Sequence, residues 1–130
     1  MTVEYLNPPD LMKSPAFSHA VVVTHPTRTL YVGGQNGADA SGAIAGDFAQ
    51  QTAKAIENVG TVLAAAGGQF TDVISWTIAV APDQDLRAGF AAVQPALADR
   101  PHPPIVTVLQ VSALAVPGAL VEISAIAVLP

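Results

Sequence analysis

The sequence predicts an α/β fold with the element order β-β-β-α-β-α-β-β, a single mixed sheet with both helices packed on one of its faces. Three observations support this. One long stretch from Phe48 repeats its apolar residues at helical spacing, β-branched runs occupy both ends and the middle of the chain, and Gly- and Pro-rich punctuation separates them.

In chain order, Val3-Glu4-Tyr5-Leu6, Phe17 to Thr24 and Thr29 to Gly33 read as strands, with His25-Pro26-Thr27-Arg28 as the turn between the second and third. Asn36 to Gly46 is rich in Gly, Ala, Ser and Asp without periodicity and reads as a loop. Asp47 offers an N-cap to a long helix. Its apolar stripe is Phe48, Thr52, Ala55, Ile56, Val59, Val62, Leu63 and Ala66, and its polar face carries Gln50, Gln51, Lys54, Glu57 and Thr61. Gly67-Gly68 supplies the stop. Asp72 to Ala81 alternates as a strand, with Ile74, Trp76, Ile78 and Val80 on one side. Beyond Pro82, Asp83 or Asp85 caps a second helix with the stripe Leu86, Phe90, Val93 and Leu97, which Pro95 should kink or shorten. Pro101-His102-Pro103-Pro104 leads stiffly into a strand from Ile105 to Leu114. The turn Val116-Pro117-Gly118 and a last strand from Leu120 to Leu129 complete the chain.

The 130 residues suit one domain, residues 1–130. Hydrophobic residues make up 51% of the chain and charged residues 12%, about half the charge of an average soluble domain. A small domain cannot hide that much apolar surface alone, so self-association is expected. No apolar run reaches the length of a membrane span, and Met1-Thr2-Val3-Glu4 lacks a charged-then-apolar leader pattern, so a soluble, cytoplasmic protein is expected. The absence of cysteine excludes disulfides, thiolate nucleophiles and cysteine metal sites. A net charge of −5 with five dispersed Lys and Arg gives no footprint for a phosphate backbone, so nucleic acid is not an expected partner.

No Gly-x-Ser-x-Gly, phosphate loop, His-Glu-x-x-His or paired-histidine pattern occurs, and no metal or cofactor is called for. Gly33-Gly34-Gln35-Asn36-Gly37 reads either as a strand end where a backbone must approach something closely or as a plain tight turn. Glu122 lies inside the apolar run Leu120-Val121-Glu122-Ile123-Ser124-Ala125. A carboxylate there is paired and structural, held in a cleft with a raised pKa for proton transfer, or on an exposed edge. His102, fixed among prolines, either aims at a pocket or is a solvated loop residue, the commoner case. His19 and His25 read as surface or turn residues. Trp76 and Phe17 read as core or interface aromatics, or as pocket walls.

Other residues carry a family resemblance. The run Pro104-x-x-x-Thr107-x-x-x-Val111-x-x-Leu114-Ala115-x-Pro117-Gly118-Ala119-Leu120-Val121-Glu122-Ile123-x-Ala125-Ile126-Ala127 resembles the signature of the Rid (reactive intermediate deaminase, YjgF-like) family. Val32-Gly33-Gly34-Gln35 is similar to that family's Ser-Gly-Gln loop. Asn58-Val59 on the long helix and the strand after Asp72-Val73 fall where the family has them. The resemblance covers nearly the whole chain. It implies a chorismate-mutase-like fold, a homotrimer enclosing a barrel, small-molecule ligand clefts between subunits, and hydrolysis (deamination) of reactive enamines and imines, such as 2-aminoacrylate, to keto acids and ammonia. Glu122 matches the family glutamate that positions water or moves protons. The arginine that grips a substrate carboxylate, two residues after the signature proline, falls at Val106, the pocket tyrosine at Phe17, and the loop serine at Gly33.

Catalysis is therefore expected from Glu122, and substrate binding from Phe17, Gly33, Gly34, Gln35, Val106 and His102. Without the arginine, a 2-imino acid would bring an unpaired charge, and a neutral or aromatic ligand fits better. The alternative is a non-catalytic trimer binding a metabolite or a partner protein. Ribonuclease activity, known in some relatives, is disfavoured by the acidic balance.

Overall fold

A computed structural model describes residues 1–130. In chain order the elements are β1 (Thr2–Leu6), β2 (Ala20–Thr24), β3 (Arg28–Gln35), α1 (Phe48–Ala65), a 3-10 turn (Phe70–Asp72), β4 (Val73–Val80), α2 (Leu86–Leu97), β5 (Ile105–Gln110) and β6 (Val121–Leu129). This is the order expected from the sequence.

The strands do not form one continuous sheet. β1 and β2 make a separate antiparallel ladder, and the main sheet has four strands in the order β3-β6-β4-β5. The break falls at the corner where His25 adopts a left-handed φ of 51° and Pro26 has no N–H to offer a ladder. Within the main sheet β4 and β5 run parallel, joined through α2, and the other pairs are antiparallel. β5 stops at Gln110 rather than Leu114. Its parallel ladder with β4 ends there because β4 itself ends at Val80, whose carbonyl takes one last bond from the Val111 N–H at 2.9 Å.

α1 forms as its pattern dictates. The Asp47 carboxylate accepts from the Gln50 N–H at 2.9 Å and the Gln50 side chain accepts from the Asp47 N–H at 2.9 Å, a reciprocal cap. At the other end Gly67, at φ 78°, turns the chain so that the Gly68 N–H reaches the Leu63 carbonyl at 2.8 Å. Phe48, Thr52, Ala55, Ile56, Val59 and Leu63 are buried on the sheet, as expected.

Gln51 departs from the expected pattern. The helical pattern puts it on the solvent face, yet it is 3% exposed. Its Nε2 donates to the carbonyls of Gly46 and Gly118 and its Oε1 accepts from the Leu120 N–H. One amide thus ties the loop before α1 to the turn before β6, which a helical-wheel argument cannot anticipate.

α2 is capped by Asp85, which accepts from the Arg87 N–H at 3.0 Å, and it runs through Pro95 to stop two residues later. Its buried line is Gly89, Val93 and Ala96, whereas Leu86 and Phe90 are 54% and 49% exposed. The core lies between the helices and one face of the main sheet, around Leu63, Trp76, Val80, Val121, Ile123 and Leu129. No helix is long and apolar enough to cross a membrane.

Candidate functional site

Strand parity divides the residues singled out in the sequence between the two faces of the main sheet. Trp76 pairs with Val106 on β5 and Ala125 on β6, while Ala79 pairs with Leu109 and Glu122. Side chains alternate along a strand, so Trp76, Ile78 and Val80 share the helix-covered face with Val106, Val108, Val121 and Ile123. Thr77, Ala79, Thr107, Leu109, Glu122 and Ser124 look the other way. That second face has no helix over it, and Glu122 on it is exposed. In one copy of the chain this carboxylate is thus neither buried nor ion-paired, and it stands on β6, an interior strand of the sheet rather than an edge.

On the covered side, a cavity of about 540 Å³ opens between α2, the first turns of α1 and the β4–β5 edge. Phe17 and Val106 both line it, together with Trp76, Ile78, Phe90 and Val93. Phe17 is brought there by its neighbour: the Ser18 N–H donates to the Pro104 carbonyl at 3.0 Å and the Ser18 hydroxyl to the Pro103 carbonyl at 2.6 Å. These two bonds dock the segment before β2 on the start of β5. Gly89 lets α2 close on α1, since a Cβ there would stand 2.7 Å from the Phe48 ring. Hydrophobic residues account for 14 of the 17 that line the cavity, so burial of apolar surface is the main attraction it offers a ligand.

On the uncovered side, the Glu122 carboxyl lies directly over Gly34. A Cβ on Gly34 would stand 2.6 Å from Glu122 Cδ, so only glycine leaves the carboxylate this position. The β3 ladder slips here, with Val32 opposite Ala125 and Gln35 opposite Ile123, so that Gly33 and Gly34 stand against the single residue Ser124. The bulge presents Gly33-Gly34 to the carboxylate, and the Gln35 Nε2 donates back to the Gly33 carbonyl at 3.2 Å. The close approach read from the glycine run is made by Glu122 itself.

The proposed site residues thus fall into three places in one copy of the chain. Phe17 and Val106 line the cavity. Gly33, Gly34, Gln35 and Glu122 cluster on the opposite face, with Thr107 rather than Val106 sharing their side of the sheet. His102 belongs to neither: its ring is exposed and stacks on Tyr5 at 5.5 Å, and its carbonyl accepts from Arg100 Nε. Arg100 also donates to the Phe70 and Val73 carbonyls and the Tyr5 hydroxyl, which makes it a brace for the entry to β5.

Two features of the cavity were not read from the sequence. Trp76 is 2% exposed and its indole Nε1 has no hydrogen-bond partner. Arg87, in the first turn of α2, lines the cavity as well. The signal for Arg87 was its place: a cation near a helix N-terminus opposes the helix dipole and calls for a reason. Elsewhere, the Ser41 hydroxyl and the Ala43 and Ser41 N–H groups hold the Asp39 carboxyl below its ordinary pKa of 3.8, in the loop that Asn58 pins through the Asn36 and Ala38 carbonyls. No group of three or more His, Asp or Glu side chains is gathered to hold a metal ion.

A family model described as endoribonuclease L-PSP matches residues 11–129. Among curated proteins, the 2-iminobutanoate/2-iminopropanoate deaminase of Rattus norvegicus is 40% identical over 72 residues, 54% of this chain and 50% of that protein. The chain thus matches about half the length of that relative. Among solved structures, a Rid-family protein of unknown function, YyfB from Yersinia pestis, superposes with a TM-score of 0.84 at 30% identity, covering 99% of this chain and all of the other. RidA from an Antarctic Psychrobacter species superposes with a TM-score of 0.71 at 27% identity, covering 95% of this chain and 94% of that one.

Proposed function

This chain belongs to the Rid (YjgF-like, endoribonuclease L-PSP) family, and from that premise we propose that it is a single-domain, cytoplasmic homotrimer that hydrolyses a reactive imine or enamine in a cleft between subunits, with Glu122 as acid and base. The observation that carries this is the Glu122 carboxyl, exposed on the uncovered face and seated over a glycine that leaves room for nothing else. A carboxylate kept free of salt bridges in this way is available to a water molecule. It takes a proton from water as the oxygen adds to the C=N carbon. It returns that proton to nitrogen, giving a carbinolamine, and then relays the proton of the new hydroxyl to nitrogen, so that the C–N bond breaks, ammonia leaves and a carbonyl compound remains. An enamine enters the same route after protonation at carbon.

The cleft is composite in this reading. One copy of the chain keeps the cavity and Glu122 on opposite faces of its sheet, so a ligand lying in the cavity meets a Glu122 only if a second copy supplies it. The apolar face around Thr77, Leu109 and Tyr31, the last 73% exposed, is the surface for that association. Of the basic residues, Arg28 donates to the Ala66 carbonyl, Arg100 braces β5 and Lys54 pairs with Glu57. They form no track for a nucleic acid strand, which argues against an endoribonuclease role.

The test is ammonia release from imines generated in situ by amino-acid and amine oxidases. Wild type should accelerate it, and Glu122→Gln should lower the rate by about 100-fold or more. Full activity in the variant would refute the role given to Glu122. No turnover on any substrate would favour the alternative, a trimer that binds a small molecule without transforming it, for which the absence of polar groups from most of the cavity speaks.

A further inference from the structure

We infer that Arg87 is the anion anchor of the cavity, which therefore takes a carboxylate carrying a large apolar body. This inference rests on reading the cavity as the ligand cleft. Its exposed lining residues, Leu86, Arg87, Phe90 and Val108, mark where it opens to solvent, and its deeper wall is formed by Trp76, Val80 and Val121. Arg87 is the single charged residue among the 17 that line it.

The guanidinium is free to serve. Arg28 and Arg100 are held by main-chain carbonyls, and Lys54 forms with Glu57 the one ion pair within 4 Å in the chain. Arg87 has neither kind of partner. Its neighbouring carboxylate, Asp85, accepts from the Arg87 main-chain N–H rather than from its side chain. An arginine left unpaired at the rim of an apolar cavity, in a first helical turn that disfavours cations, gains most from an anion arriving with the ligand. The planar fork suits a carboxylate bound through two oxygens. A cavity of about 540 Å³ is far larger than a three- or four-carbon chain fills, so the apolar part of the ligand is of phenyl or medium-chain alkyl size. This replaces the preference for neutral ligands drawn from the sequence. α2 contributes a cation that the strand positions do not.

The chain has one tryptophan, Trp76, and it lines the cavity, so its fluorescence reports occupancy directly. Titrations with octanoate, octanamide and butanoate are compared for wild type, Arg87→Gln, Arg87→Lys and Lys13→Gln, the last repeating the charge change at a residue that does not line the cavity. Octanoate should bind wild type about tenfold more tightly than octanamide at low salt, and butanoate weakly. Arg87→Gln should abolish the preference for octanoate while leaving octanamide unchanged. Arg87→Lys should retain part of the preference, and Lys13→Gln all of it. Equal affinity of wild type for octanoate and octanamide, an undiminished preference in Arg87→Gln, or no binding of either probe overturns the inference. Arg87 is exposed, and a melting curve for each variant establishes that it is folded. Turnover plays no part in these titrations. Charge-selective binding without ammonia release would sink the hydrolase reading alone, and ammonia release with no charge selectivity would sink this inference alone.

Discussion

The two faces of the four-stranded sheet are built from the same strands and do opposite things. On the covered face Trp76, Val80, Val121, Ile123 and Ala125 are each 5% exposed or less, and their contacts with α1 hold the fold together. On the other, Thr77, Thr107, Leu109 and Glu122 are exposed, and in this copy of the chain nothing packs over them. A period of two lets one strand serve stability and chemistry at once, one residue apart. Glu122 is flanked by Val121 and Ile123, both fully buried. Its apolar sequence neighbours therefore describe the far side of the sheet and not its own surroundings.

The contrast can be broken from either face. The largest effect on stability is expected from Leu63→Ala, which empties a fully buried site beneath the covered face. Urea unfolding should show a loss of about 2–5 kcal/mol, whereas Ser124→Ala on the opposite face should leave unfolding within about 0.5 kcal/mol. Gly34→Ala acts on the other side. The added Cβ evicts the Glu122 carboxyl, so ammonia release should fall toward the level of Glu122→Gln, about 100-fold, with a much smaller change in melting temperature than Leu63→Ala produces. An active Gly34→Ala variant would mean that the seat over Gly34 has no part in catalysis.

Gln51→Ala should be intermediate. It removes a buried amide and its three hydrogen bonds, leaving the half-buried Leu120 N–H without a partner, and should cost about 1–3 kcal/mol in urea unfolding. The smallest effect concerns Asp39. Its carboxyl titrates lower folded than unfolded because Ser41 and Ala43 donate to it. Its contribution is thus present above the ordinary value of 3.8 and is lost as pH falls through the lower folded value. Hydrogen exchange of the 36–46 loop should rise in that acid range in wild type. In Asp39→Ala it should already be raised at neutral pH.

Local signals were legible in the sequence wherever they decide structure locally. Asp47 and Gly67 bracket α1 as its pattern requires, and every strand is where its β-branched run stands. The parts that were not legible depend on distant partners. Gln51 is polar and lies beside the apolar stripe, but its partners are 5, 67 and 69 residues away. The stripe of α2 reads Leu86 and Phe90 as core, yet they border an open cavity because no element of this chain covers them. Val106 and Glu122 both lie on strands, but only the ladder register through β4 shows that they face apart. Arg87 could be flagged as out of place on its helix, though not as a cavity residue.

Mixing two inactive variants tests the composite cleft most directly. Glu122→Ala keeps the cavity and removes the carboxylate, and Val106→Trp fills the cavity and keeps the carboxylate. Each alone should be silent in ammonia release. Co-refolded in equal amounts as a random trimer, they should recover about a quarter of wild-type activity, since that share of interfaces joins an open cavity to an intact Glu122. A mixture as silent as its parents would show that the cavity of one copy and the Glu122 of another do not form one site.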